Sequence, residues 1–178
     1  EDLSELGDVS TSLLIPAQAR QSAMFRSRYP GVVSGLSVLP SLIQIYDPSI
    51  EFEAYCKDGD RVTPLGDIAR LSGPYQSILA LERTALNLLT HLSGIATLTA
   101  RYVDEVKGTK AQICCTRKTH LGLRGLEKYA VHCGGATSHR MGLYDAVLWK
   151  DNHLAQFSSS LDELERGIRQ AAEQARKR

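Results

Sequence analysis

Arg117 and Lys118 stand side by side in Thr116-Arg117-Lys118-Thr119, directly after the apolar run 113–115. Arginine can grip a carboxylate with two parallel hydrogen bonds, and lysine supplies a point charge suited to phosphate. His139 and Arg140 follow Cys133-Gly134-Gly135-Ala136-Thr137-Ser138, whose glycines let backbone approach a ligand closely. Lys150-Asp151-Asn152-His153 closes a third segment, where the apolar run 146–149 ends in four polar residues. Each group alone has an ordinary reading as solvated surface. Three cationic groups at successive strand and loop ends, within 40 residues, point instead to one small anionic ligand.

The charge distribution agrees. Between residues 111 and 150 six cations (Arg117, Lys118, Arg124, Lys128, Arg140, Lys150) face two carboxylates (Glu127, Asp145), a net +4 inside a chain of net +1. His120, His132 and His139 lie in the same stretch. A nucleic-acid partner would call for a broad basic face, which this composition lacks. Cys56, Cys114, Cys115 and Cys133 form no C-x-x-C pair, and no histidine stands at zinc-finger spacing from them. Buried thiols in a reducing cytoplasm are the expectation, with no protein-held metal. No apolar run reaches the ~20 residues that cross a bilayer, and Glu1-Asp2-Leu3 shows neither an initiator Met nor a leader.

The elements that must position these groups fall into two parts. Residues 1–108 read as α+β. A short helical piece over 3–7 and a polar turn over 8–12 precede strands at 23–28 and 31–34, which are parted by Tyr29-Pro30-Gly31. Residues 50–56 alternate as a half-buried strand, Lys57-Asp58-Gly59-Asp60 signals a hairpin turn, and 62–71 suggests short strands. Ile78, Leu81, Ala85, Leu88, Leu89 and Leu92 then keep helical spacing. Ser93-Gly94 marks an expected kink, after which Ile95, Leu98, Tyr102, Val103 and Val106 resume a helix to Gly108. Residues 109–178 read as strand 111–116, helix 123–131, strand 146–149 and a last helix. That amphipathic helix opens on a capping box, Ser160 with Glu163, carries Leu161, Leu164, Ile168 and Ala172 on one face, and ends on Arg176, Lys177 and Arg178. The order strand, helix, strand, helix is the opening of a parallel β/α barrel, and two units are too few to close one. The expected fold is therefore an α+β N-terminal sandwich followed by the first units of an α/β barrel, incomplete in the 178 residues.

Six segments, in order, resemble the quinolinate phosphoribosyltransferases: Glu82-Arg83-Thr84-Ala85-Leu86-Asn87, Leu92-Ser93-Gly94-Ile95-Ala96-Thr97, Thr116-Arg117-Lys118-Thr119, Leu126-Glu127-Lys128-Tyr129, His139-Arg140-Met141-Gly142-Leu143-Tyr144 and Lys150-Asp151-Asn152-His153. The resemblance runs over essentially the whole chain. It implies phosphoribosyl transfer from phosphoribosyl pyrophosphate to quinolinate with decarboxylation, giving nicotinic acid mononucleotide for NAD synthesis in the cytoplasm. It also implies a homodimer. Arg117, His139 and Arg140 would hold the two quinolinate carboxylates with help from Lys150, and Arg83 would reach that site from the partner chain. Lys118, Lys150 and Asn152 would lie near the pyrophosphate, Lys118 and Lys150 being the catalytic cations, and Mg²⁺ would travel with the sugar substrate.

Some positions depart from the family pattern. His120-Leu121 stands where Thr-Pro is common, Cys115 replaces a frequent Asp, and Trp149 replaces a smaller aliphatic residue. The acidic strand ends and glycine-rich phosphate loops of the family's later strands do not follow within the 178 residues. The expectation is a truncated chain, inactive alone. Two alternatives are a non-catalytic homologue that binds a pyridine dicarboxylate and a homologue associated with molybdenum uptake, which shares the R-T-A-L-N and T-R-K-T segments.

Overall fold

The computed structural model describes residues 3–157 and 160–176, which pack as two compact units, 1–139 and 140–178. Lys177 and Arg178, expected to end the last helix, lie outside the described residues.

The first unit is built on an antiparallel sheet of β1 (Arg20–Arg26), β5 (Asp67–Pro74) and β3 (Glu51–Ala54), with β5 in the centre. In β5 the period of two is plain: Ala69, Leu71 and Gly73 are buried, while Asp67 and Arg70 are exposed. The outer face carries the exposed ion pairs Arg26–Asp67 and Arg70–Glu53, which contribute little stability. The inner face meets α3 (Tyr75–Glu105), which begins directly after Pro74. Ile78, Leu81, Ala85 and Leu89 of α3 join Leu71, Phe25 and Ile50 in one core, as the helical spacing of 78–92 requires.

Leu39 and Ile43 enter that core from α2 (Leu39–Tyr46), a helix the sequence reading did not foresee. Pro40 sits in its first turn, where a missing N–H costs nothing. Another helix, α1 (Val9–Leu14), replaces the expected polar turn at 8–12, and residues 3–7 hold only turns. Its cause is a cap: the Asp8 carboxylate accepts the Thr11 N–H at 3.0 Å.

Gly59 takes the expected left-handed backbone, φ 93°. The turn around it does not close a hairpin, however. It passes from β3 in one sheet to β4 (Arg61–Val62), which pairs with β2 (Gly31–Val32) in another. The strand expected over 31–34 spans only Gly31–Val32, and helix α3 also binds the backbone of this segment. Thr97 Oγ1 accepts the Val32 N–H at 2.9 Å, and Ser93 Oγ accepts the Ser34 N–H at 3.0 Å.

That docking also explains why no kink forms at Ser93-Gly94. Helix α3 runs unbroken for 31 residues, with Leu92 and Ala96 buried on either side of Gly94. Beyond Gly94 its buried stripe is Ala96, Thr99 and Ala100, while Leu98 and Tyr102, expected inside, are more than half exposed. Small residues in the stripe admit α4 (Arg124–Cys133) at close range. A Cβ on Gly134, at the end of α4, would meet the Ala96 carbonyl at 2.5 Å.

Among the described residues there is no closed barrel. The strand expected at 111–116 is reduced to one parallel bridge, Cys114 with Thr137, supported by Cys115 N–H to Thr137 O (3.1 Å) and Thr137 N–H to Ile113 O (3.0 Å). No strand forms at 146–149, where Val147, Leu148 and Trp149 are exposed. Parallel strands draw their hydrogen bonds from neighbours, so an apolar run acquires no strand by pattern alone. The second unit holds α5 (Asp151–Leu154), a 3₁₀ turn (Ala155–Phe157) and α6 (Leu161–Ala175). Ser160 caps α6 through the Glu163 N–H as expected, whereas Leu161 is exposed rather than on the covered face.

Candidate functional site

The segment from 113 to 119 alternates without a break, with Ile113, Cys115, Arg117 and Thr119 half-buried and the residues between them exposed. Lys118 therefore faces solvent, and its backbone N–H donates to Thr116 Oγ1 at 3.1 Å. Arg117 points the other way. Its Nε is buried and has no hydrogen-bond partner. A buried donor left unpaired costs about 1–3 kcal/mol, more when charged.

Behind the loop, α4 supplies two adjacent charged residues that are both buried, Glu127 and Lys128. Lys128 Nζ donates to Cys115 Sγ at 2.9 Å and to the His139 carbonyl at 2.8 Å. The His139 N–H donates to the same sulfur at 3.3 Å. Lys128 thus ties the end of one extended segment to the end of the next, and His139 is left with an exposed side chain. Burial pushes the Cys115 thiol up, but the donors Lys128, His139 N–H and Ser138, with the Lys128 charge, outweigh it. Its pKa lies below the ordinary thiol value.

Glu127 makes a second cluster. Its Oε1 accepts from His120 Nδ1 at 2.6 Å and from His91 Nε2 at 2.9 Å, and its Oε2 accepts the His120 backbone N–H at 3.2 Å. Burial raises the carboxyl, yet these hydrogen bonds prevail and hold it below the usual carboxylate range. Sequence reasoning counted Lys128 among the cations of the basic stretch and Glu127 as one of its two carboxylates, and gave neither a place in the site. An adjacent acid and base next to Leu126 and Ala130 on a short amphipathic helix was the available signal that both are buried.

Arg83 is exposed on α3 and lines an open cleft of about 940 Å³ with Arg26, Arg28 and Arg101. No residue from 113–139 lines that cleft, so Arg117 is not part of it. In the second unit Arg140 is half-buried, and its guanidinium donates to the Ala146 carbonyl at 2.7 Å, closing the loop that Met141 N–H and Asp145 also bridge. Lys150 precedes α5, and its backbone N–H donates to His153 Nδ1 at 3.1 Å. The side chains of Lys150 and Asn152 are exposed. Of the seven expected site residues, the first unit carries Arg83, Arg117, Lys118 and His139, with Lys118 and His139 close to the Arg117 loop. The second carries Arg140, Lys150 and Asn152.

Two family models match: quinolinate phosphoribosyl transferase, N-terminal domain, over residues 8–93, and its C-terminal domain over 95–177. A nicotinate-nucleotide pyrophosphorylase (carboxylating) from Mycobacterium leprae is 41% identical over 177 residues, covering 97% of this chain and 61% of the relative. A probable nicotinate-nucleotide pyrophosphorylase (carboxylating) from Synechocystis is 42% identical, over 96% of this chain and 57% of the relative. The crystal structure of NadC from Streptococcus pyogenes aligns with a TM-score of 0.84 at 36% identity, over 93% of this chain and 59% of that one. The chain therefore spans about three fifths of the length of these relatives.

Proposed function

The chain belongs to the quinolinate phosphoribosyltransferase family, and on that premise we propose that it serves phosphoribosyl transfer from phosphoribosyl pyrophosphate to quinolinate, with decarboxylation to nicotinic acid mononucleotide. The observation that carries the reading is Arg117, whose buried Nε lacks a partner at the end of an extended segment. A carboxylate of the pyridine ring supplies the missing acceptor. His139 follows from the neighbouring segment end, and family resemblance, rather than a distance, assigns Arg140 and Lys150 to the same ligand. Fixing the ring in line with C1′ of the ribose contributes through orientation.

Displacing pyrophosphate develops positive charge on the ribose and negative charge on the leaving group. Lys118, Lys150 and Asn152 stabilise that separation electrostatically, and the Mg²⁺ enters as part of the sugar substrate. The positive pyridinium then eases loss of the carboxylate next to nitrogen. Arg83 faces a cleft apart from Arg117, which favours its acting on the site of a partner chain in a homodimer. The exposed Leu98 and Tyr102 on the same helix fit that interface. We read residues 1–108 as the N-terminal domain and 109–178 as the opening units of the family's barrel, working in the cytoplasm. No helix among the described residues is long and apolar enough to cross a membrane.

Titration calorimetry tests the clamp. Quinolinate should bind more tightly than nicotinate, because one carboxylate leaves part of the cationic set unpaired. Arg117→Ala should weaken quinolinate by about 2–5 kcal/mol if it breaks a buried charge pair, and nicotinate by less. Equal affinities for the two acids would overturn the assignment.

A further inference from the structure

His120 has no role in the proposed reaction, yet it is drawn to a definite place. It shares the buried Glu127 carboxylate with His91, and the three side chains come from α3, the loop after Lys118 and α4. One donor atom from each lies within 4.8 Å of the other two. The imidazole rings meet edge to face, 76° apart with centroids separated by 5.5 Å, so their nitrogens converge on Glu127 Oε1. We propose that His91, His120 and Glu127 form a binding site for a divalent transition-metal ion of the Zn²⁺ class.

The donor set selects the metal. Two imidazole nitrogens and one carboxylate oxygen suit Zn²⁺, Co²⁺ or Ni²⁺, whereas Mg²⁺ and Ca²⁺ prefer all-oxygen shells. The site is consequently distinct from the Mg²⁺ that accompanies a phosphorylated sugar. Zinc–nitrogen and zinc–oxygen bonds of about 2.0–2.2 Å in a tetrahedron hold ligand atoms roughly 3.3 Å apart. The present separations of 2.6 and 2.9 Å are hydrogen-bond lengths, so binding requires an opening of a few tenths of an ångström. His120 can give that much, since its side chain is 74% exposed on a loop. Glu127 cannot, being 6% exposed within α4, and it acts as the fixed anchor.

Binding exchanges the shared N–H donors for nitrogen lone pairs: His91 must carry its proton on Nδ1 and His120 on Nε2. Glu127 keeps its second oxygen on the His120 backbone N–H, an outer contact of the sort that orients ligating carboxylates. Three protein ligands leave a fourth position for water, reached past the half-exposed His91. The ion would then tie α3, α4 and the end of the Arg117–Lys118 loop together.

Cobalt titration of chelator-treated protein tests the site without reference to activity. The expected result is one Co²⁺ per chain with a visible ligand-field spectrum and no near-ultraviolet thiolate charge-transfer band. Zn²⁺ should displace the cobalt, and millimolar Mg²⁺ should not. His120→Ala should weaken binding about 100-fold or more, beyond the loss typical of an outer-shell change, and His91→Ala should do the same. Circular dichroism on His120→Ala guards against a folding artefact, since an exposed loop residue is expected to be dispensable for the fold. No stoichiometric binding overturns the proposal. So does affinity unchanged in folded His120→Ala, or a thiolate band, which would place the ion on the cysteines.

Discussion

Lys128 is an ammonium group buried to 3% exposure whose two acceptors are a sulfur and a backbone carbonyl. A buried cation of this kind favours a negative charge on the groups it donates to, and of its two acceptors the Cys115 sulfur is the one that can take it. The lowered thiol pKa has a definite sign for stability. Between the folded pKa and the ordinary thiol value the unfolded chain holds a proton that the folded chain has released, so stability rises with pH through that window. The contribution is complete above the ordinary thiol value and is lost as pH falls through the folded one. Urea midpoints should climb across this range, and Cys115→Ser should flatten the climb. Alkylation of Cys115, followed by peptide mapping, should begin at lower pH than that of Cys56, whose thiol burial pushes up. Identical profiles for the two would remove the ion pair. Arg117 and Lys118 stood out beforehand only in company: alone the pair reads as ordinary surface, and it was the further cations at His139-Arg140 and Lys150 that singled it out. His91, His120 and Glu127 were not visible as a group. Their meeting depends on α3 lying against α4, which spacing along the chain does not encode.

At the level of elements, local period and local caps carried the reading wherever partners were near in sequence. The strand within 50–56, the buried face of α3 up to Leu92 and the Ser160 cap of α6 all follow from residues within a few positions of one another. The failures have distant causes. Ser93-Gly94 looked like a kink, but the Ser93 hydroxyl, like that of Thr97, is occupied by backbone, 59 and 65 residues away respectively. The two family domains meet at 93–95, within a helix that does not break there. The second half of α3 was misread for a related reason: its covered stripe is made of Ala96, Thr99 and Ala100, chosen for closeness of approach rather than for hydrophobic bulk. Gly134 and Gly125 separate these effects. Gly134→Ala places a Cβ 2.5 Å from the Ala96 carbonyl and 2.6 Å from Thr99 Cβ, so α3 and α4 must part. The expected loss is about 1–3 kcal/mol, the usual cost of overpacking. Gly125→Ala, on the open side of α4 with no atom within 4 Å of the new Cβ, should stabilise by about 0.4–1 kcal/mol. Denaturant unfolding of both variants checks the pair. A Gly134→Ala protein as stable as its parent would mean that the helices are not in close contact.

The whole molecule poses the question of what uses Arg83. Helix α3 spends its buried face on the first unit, and Arg83 lies off that face in a cleft whose other charged residues are Arg26, Arg28, Arg101 and Glu82. Four arginines against one carboxylate make a surface that repels a bare cationic partner and attracts an anionic ligand or an acidic edge. Arg117 does not line that cleft, and its Nε has no partner among the described residues. Under the proposed homodimer one substrate is held by both, each chain lending its Arg83 to the neighbour's Arg117 loop. Mixed dimers make this testable. Arg83→Ala and Arg117→Ala chains, each pure, should bind quinolinate weakly. Unfolded together and refolded, or co-expressed with separate tags, they form hybrids in which one site keeps both arginines and the other keeps neither. Calorimetry on tag-selected hybrids should therefore recover tight quinolinate binding at one site per dimer, half the stoichiometry of the unaltered protein. The half-value is the informative feature, because sites complete within a single chain would each lack one arginine in every hybrid and recover nothing. Verified hybrids with no tight site would assign Arg83 to its own chain and leave the basic cleft to some other anion.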